Sequence, residues 1–125
     1  MLAINTIEFI KDLVQLEYEG TYYDFHNGHD CENILYEKSQ LTLVFKNKLN
    51  NTIIHYRFLD VIITKMFFFN VENTSGLTLI SLYRGRTEVN NELVDSLNGE
   101  LSYMYLEFDE GQNLEFWSSY LEIQK

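Results

Sequence analysis

Residues 101–123, LSYMYLEFDEGQNLEFWSSYLEI, decide the fold class of this chain. From Leu101 to Phe108 the side chains alternate, with Tyr103 and Tyr105 on one side and Met104, Leu106 and Phe108 on the other. A period of two marks a strand. Asp109-Glu110-Gly111-Gln112 interrupts it with a glycine-bearing turn. The alternation then resumes, with Phe116, Ser118 and Tyr120 against Trp117, Ser119 and Leu121. Two alternating runs around such a connection predict a β-hairpin.

The same grammar extends upstream. Leu41, Leu43 and Phe45 alternate with Thr42, Val44 and Lys46, and 47–51 read as a turn. Residues 53–58 and 61–69 are β-branched and aromatic, with Asp60 as the bend between them, and a loop at 70–76 precedes a strand at 77–83. The polar stretch 85–99 contains one or two expected helical turns at 91–97. At the other end, NTIEFIKDLVQL (5–16) predicts a helix. Asn5 caps it, Glu8 completes a capping-box-like pair, and Ile7, Ile10, Leu13 and Val14 share a face. Residues 17–24 are strand or loop, broken at Gly20. The expectation is one domain over 1–125, mainly β within the α+β class. It is an antiparallel β-sandwich or strongly curved sheet of six to seven strands with one N-terminal helix.

Composition agrees with a packed interior: the chain has 125 residues, 46% of them apolar, with nine Phe and nine Tyr. That length suffices for a real core. Proline is absent, and asparagine pairs such as Asn50-Asn51 and Asn90-Asn91 take turn positions, because asparagine tolerates the left-handed region. Cys31 is the single cysteine, which excludes an intrachain disulfide. The opening MLAINTIEFIK lacks the basic region of a secretory signal. The longest apolar run, Met66–Phe69, is too short to span a bilayer. A cytoplasmic location is expected.

The net charge of −10 is segregated along the chain. Residues 1–39 carry eight acids and two bases, 40–86 two acids and six bases, and 87–124 nine acids with no Lys or Arg. An acidic field repels nucleic acid and anionic membranes and attracts a basic protein. It also serves simply to keep a Phe-rich β protein soluble.

One stretch, YYDFHNGHDCE (22–32), gathers ligating chemistry. His26, His29 and Cys31 are competent zinc ligands, but H-x2-H-x-C matches no familiar structural zinc pattern, and the fourth ligand would have to be His55 or a carboxylate. A polar loop around the Asn27-Gly28 turn, with Cys31 tucked inside as a small apolar residue, explains the same residues. A Cys31–His29 nucleophile pair lacks an orienting third group and an oxyanion hole. No phosphate-binding loop, dinucleotide fingerprint or metalloprotease motif occurs. The chain is therefore expected not to be an enzyme and to hold no cofactor.

In its overall character the chain resembles bacterial immunity proteins, which neutralise polymorphic or contact-dependent growth-inhibition toxins inside the producing cell. The resemblance is carried by the acidic segment EYEGTYYDFHNGHDCE and the closing hairpin. It implies a tight complex with one cognate toxin domain, often a basic nuclease, without nucleic acid or membrane as partner. Charge geography then nominates Asp24, Asp30, Glu32, Tyr103, Glu107, Asp109 and Glu115 as the binding surface, the loop and the hairpin forming one acidic rim. Two other readings stand beside it. One is a small-ligand or metal-dependent β domain using His26, His29 and Cys31. The other is a homodimer packed through the apolar strands at 66–69.

Overall fold

The alternating runs pair antiparallel, as their period requires. The computed structural model describes residues 1–8, 11–68, 76–95 and 97–125, with the backbone alone at 86–89, 93–95 and 97–98. Its strands are β1 (Leu2–Ala3), β2 (Gln15–Tyr18), β3 (Thr21–Asp24), β4 (His29–Glu37), β5 (Gln40–Asn47), β6 (Ile53–Leu59), β7 (Ile62–Phe67), β8 (Leu79–Arg84), β9 (Arg86–Val89), β10 (Glu92–Asp95), β11 (Leu97–Asn98), β12 (Leu101–Phe108), β13 (Asn113–Ser118) and β14 (Tyr120–Gln124). A first sheet runs β1-β14-β6-β5-β4. In the second, β12 has β13 and then β7 on one edge, and β8 and β11 end to end on the other. Two short ribbons, β2–β3 and β9–β10, complete the set.

The two sheets share a bent ribbon. β6 passes through Asp60-Val61 into β7, and β13 passes through Ser119 into β14, so each run begins in one sheet and ends in the other. At the bend Asp60 takes a left-handed φ of 54°. Ser118 Oγ donates to Leu59 O at 2.7 Å, and Ser119 Oγ donates to the Asp60 carboxylate. Strands that switch sheets at such corners are how two β layers meet at a steep angle. The far edges also touch, through a bridge between Cys31 of β4 and Leu77.

Between the layers lies one contiguous core. An aromatic chain crosses it: Phe25–Tyr56 at 4.9 Å, Tyr56–Phe58 at 5.5 Å and Phe58–Phe116 at 5.0 Å between ring centroids. Offset and edge-on pairs at these spacings are favourable beyond their burial.

The mainly β, antiparallel expectation holds. The single sandwich with a helix at 5–16 does not. Only Ile4–Thr6 forms a 3-10 turn, and the described remainder of 5–16 has no helix; Phe9 and Ile10 lie outside the described residues. The physical reason is tertiary. Ile4 N donates to Ser119 O at 2.9 Å and Leu13 N to Leu82 O at 2.6 Å, so this backbone bonds to the sheets instead of to itself. The buried Arg84 guanidinium donates to Asn5 O and Ile7 O at 3.0 and 2.9 Å, fixing the irregular path. A lone helix of that length is marginal in any case.

Six to seven strands was also too few. The 91–97 helical expectation is replaced by the β9–β10 ribbon, turned by Asn90 and Asn91 at φ 52° and 65°. Two successive left-handed residues make the tight turn that matches strand twist. The end of the 22–32 stretch, expected as a polar loop, opens the long strand β4, His29–Glu37.

Candidate functional site

The segment Leu77–Leu79 gathers the acidic elements. Cys31 N donates to Leu77 O at 2.8 Å, and Leu77 N returns a bond to Cys31 O at 3.1 Å. Asp109 N donates to Thr78 O at 2.9 Å, while Thr78 N donates to Asp109 Oδ1 at 3.2 Å. His26 Nδ1 donates to Leu79 O at 2.7 Å. The 24–32 segment and the tip of the β12–β13 hairpin thus meet on one three-residue spacer.

Within that loop the expected residues serve different ends. Asp24 Oδ1 accepts from His26 N at 3.0 Å and Asn27 N at 2.9 Å, and Asp24 Oδ2 from Asn27 Nδ2 at 3.2 Å. Partial burial opposes its ionisation, but these donors prevail and hold its carboxyl below the usual range. Its carboxylate is consumed by the turn. Asp30 lies across from Lys46 in the ladder and pairs with Lys48 at 3.7 Å, so two cations flank it. Glu32 stands at a β-bulge and Asp109 at the exposed hairpin tip.

The ligating cluster does not converge. His29 is buried between Phe25 and Phe45, and its Nδ1 donates to Asp24 O at 2.9 Å. The His26 ring is turned to Leu79 O. Cys31 is fully enclosed, and burial pushes its thiol up to about 12, far from thiolate chemistry at neutral pH. Among the described residues no group of three His, Cys, Asp or Glu side chains is placed to hold a metal ion.

The remaining expected residues lie on the outer face of the second sheet, where tyrosines and glutamates interlock. Tyr103, only 8% exposed, donates its hydroxyl to Glu115 Oε1 at 3.1 Å and packs edge-on to Trp117 at 5.2 Å. Glu115 also pairs with Lys65 at 3.4 Å. Tyr105 donates to Glu107 Oε2 at 3.1 Å and lies 5.2 Å from the Tyr83 ring. Burial, then the hydrogen bond and charge of Glu107, push the Tyr105 phenol up to about 12. These phenols stay protonated donors, and they hold two carboxylates in fixed directions beside aromatic rings. Such a surface suits Lys and Arg side chains, by charge-assisted bonds and by ring faces.

Sequence reasoning did not find Tyr83 or the Leu77–Leu79 spacer. Nothing local marks them, since both matter through pairing with residues more than twenty positions away. The chain matches no protein-family model, no curated protein and no solved structure.

Proposed function

We propose that this chain is an immunity-type protein that binds and neutralises a cognate toxin domain bearing a basic surface, such as a nuclease. It acts by occlusion, without catalysis or cofactor, in the cytoplasm. The observation that supports this reading is the meeting of two acidic turns on Leu77–Leu79, next to the tyrosine–glutamate face. Glu32 and Asp109 supply the rim charge, and Glu107 and Glu115 the oriented acceptors. Asp24 and Asp30 hold the loop in place, and Tyr103 positions Glu115. Carboxylates already fixed by phenols lose little freedom on binding, which favours affinity. The overall charge of −10 steers a basic partner to the surface.

The test is co-expression with the toxin domain encoded beside the gene, followed by stopped-flow association at several salt concentrations. Protection of cells and a salt-sensitive on-rate are expected. Glu107→Lys and Asp109→Lys should slow association at least several-fold, and Lys46→Glu should not. Protection that fails with wild-type protein, or an on-rate reduced only by Lys46→Glu, refutes the reading.

A further inference from the structure

An acidic docking surface leaves the basic middle of the chain unexplained. One of its cations, Arg57, stands on the outer face of the first sheet, opposite the core, near Lys38 from just before that segment. There, Leu35, Thr42, Arg57 and Glu122 form one row across β4, β5, β6 and β14, and His55 lies two residues along from Arg57. Lys38 stands in the β4–β5 turn, held at a φ of 50°. Leu35, Lys38, Gln40, Thr42, His55 and Arg57 line a cup of about 320 Å³, of which Glu37 is the acidic member.

The cup is unusual in what its members do not do. The described ion pairs are Lys48–Asp30 and Lys65–Glu115, so among the described residues Lys38 and Arg57 have no carboxylate within 4.0 Å. The nearest acid along the row, Glu122, accepts instead from Gln124 Nε2, and Arg57 Nη1 donates to Gln124 Oε1 at 3.2 Å. Among the described residues the Lys38 ammonium, the Gln40 amide, the Thr42 hydroxyl and the His55 ring make no hydrogen bond. Thr42 is 8% exposed, so its hydroxyl forms the floor.

We propose that this cup binds a phosphate group. A planar guanidinium, an ammonium, a hydroxyl and an imidazole around one concavity match a tetrahedral oxyanion's several acceptor positions. Leu35, 48% exposed on the wall, offers apolar surface to a body attached to that phosphate. The site is independent of the toxin-binding reading. It is also not a product of diffuse attraction, because a chain of charge −10 repels a free anion at long range. Short-range contacts must supply the binding.

The experiment titrates the full ¹⁵N-labelled chain with inorganic phosphate and with phenyl phosphate at constant ionic strength set by sodium chloride. Saturable shifts confined to the amides of 38–42 and 55–57 and to the His55 ring are expected. Arg57→Gln should weaken binding about tenfold and Thr42→Val several-fold, with the remaining spectrum unchanged as proof of fold. Phenyl phosphate binding several-fold tighter than inorganic phosphate, with the advantage lost in Leu35→Ser, identifies a phosphate carried on an apolar body. Equal affinities identify free phosphate. Shifts that do not saturate, or that persist undiminished in Arg57→Gln, overturn the proposal.

Discussion

Replacing Tyr56 by Phe should stabilise this protein. Tyr56 is wholly buried, and its hydroxyl has no hydrogen-bond partner among the described residues. Its ring contacts with Phe25 at 4.9 Å, Phe58 at 5.5 Å and Phe45 at 6.2 Å are all available to phenylalanine. The change therefore removes only an oxygen that gave up water without replacement, a desolvation cost of about 1–3 kcal/mol. Against this stands the loss of a few atom–atom contacts at ~0.1–0.2 kcal/mol each. The net gain is about 1–2 kcal/mol. With an m-value of roughly 2 kcal/mol/M, the urea midpoint should rise by about 0.5–1 M at pH 7 with m unchanged. A second arm uses pH. Burial, and then the charge of Asp12, raise the Tyr56 phenol above its ordinary value of 10.0. A group whose folded pKa is raised contributes stability that is complete below the unfolded pKa and is lost as pH rises beyond it. Wild type should lose stability above about pH 10, and Tyr56→Phe should lose less. A variant less stable than wild type by 1 kcal/mol or more would show that the hydroxyl is satisfied, and the reasoning would fail.

Two further perturbations test the loop. Cys31, pushed up to about 12 by burial from 9.0, should contribute a loss of stability as pH climbs above 9, and urea midpoints of Cys31→Ala should fall less over that interval than those of wild type. Asp24→Ala removes three accepted hydrogen bonds and should cost about 1–2 kcal/mol at pH 7 in urea denaturation. Because the Asp24 pKa is lowered on folding, that difference is present above the unfolded carboxyl pKa and should vanish as pH falls through the folded one. A gap that survives at pH 2 would mean the loop is held by something else.

The closing hairpin was legible because its alternation is unbroken over 101–108 and 113–118, and the structure pairs these runs from Ser102–Ser118 to Glu107–Asn113. β4 was hidden for two reasons. Its first residues look like ligands, and a bulge between Cys31 and Asn33 breaks the period of two where it begins. Its turn, Lys38-Ser39, carries left-handed φ values of 50° and 61° without the glycine or asparagine that would announce it. The opening segment misled in the opposite direction. Ile7, Ile10, Leu13 and Val14 together have helical spacing, yet Ile7 and Leu13 are buried against sheets laid down by distant residues. Of the candidate site, the acidity and the tyrosines could be read from the sequence. That Asp24 and Asp30 are already engaged while Glu107 and Glu115 are held by phenols could not, since it depends on which chains stand opposite one another.

The shared ribbon at Asp60-Val61 and Ser118-Ser119 bears on how the chain reaches this state. Residues 53–67 and 113–124 must find each other for the first sheet to join β14 to β6 and for the second to join β7 to β13. Closing a loop of that length costs entropy before native contacts offset it, which places folding among the slow β topologies, roughly milliseconds to seconds. Neither layer is complete until these two runs have crossed, because the same crossing adds β14 to the first sheet and β7 to the second. Glu115 on β13 and Arg57 on β6 both stand on this shared ribbon, so the face that carries the one and the face that carries the other are completed by the same crossing.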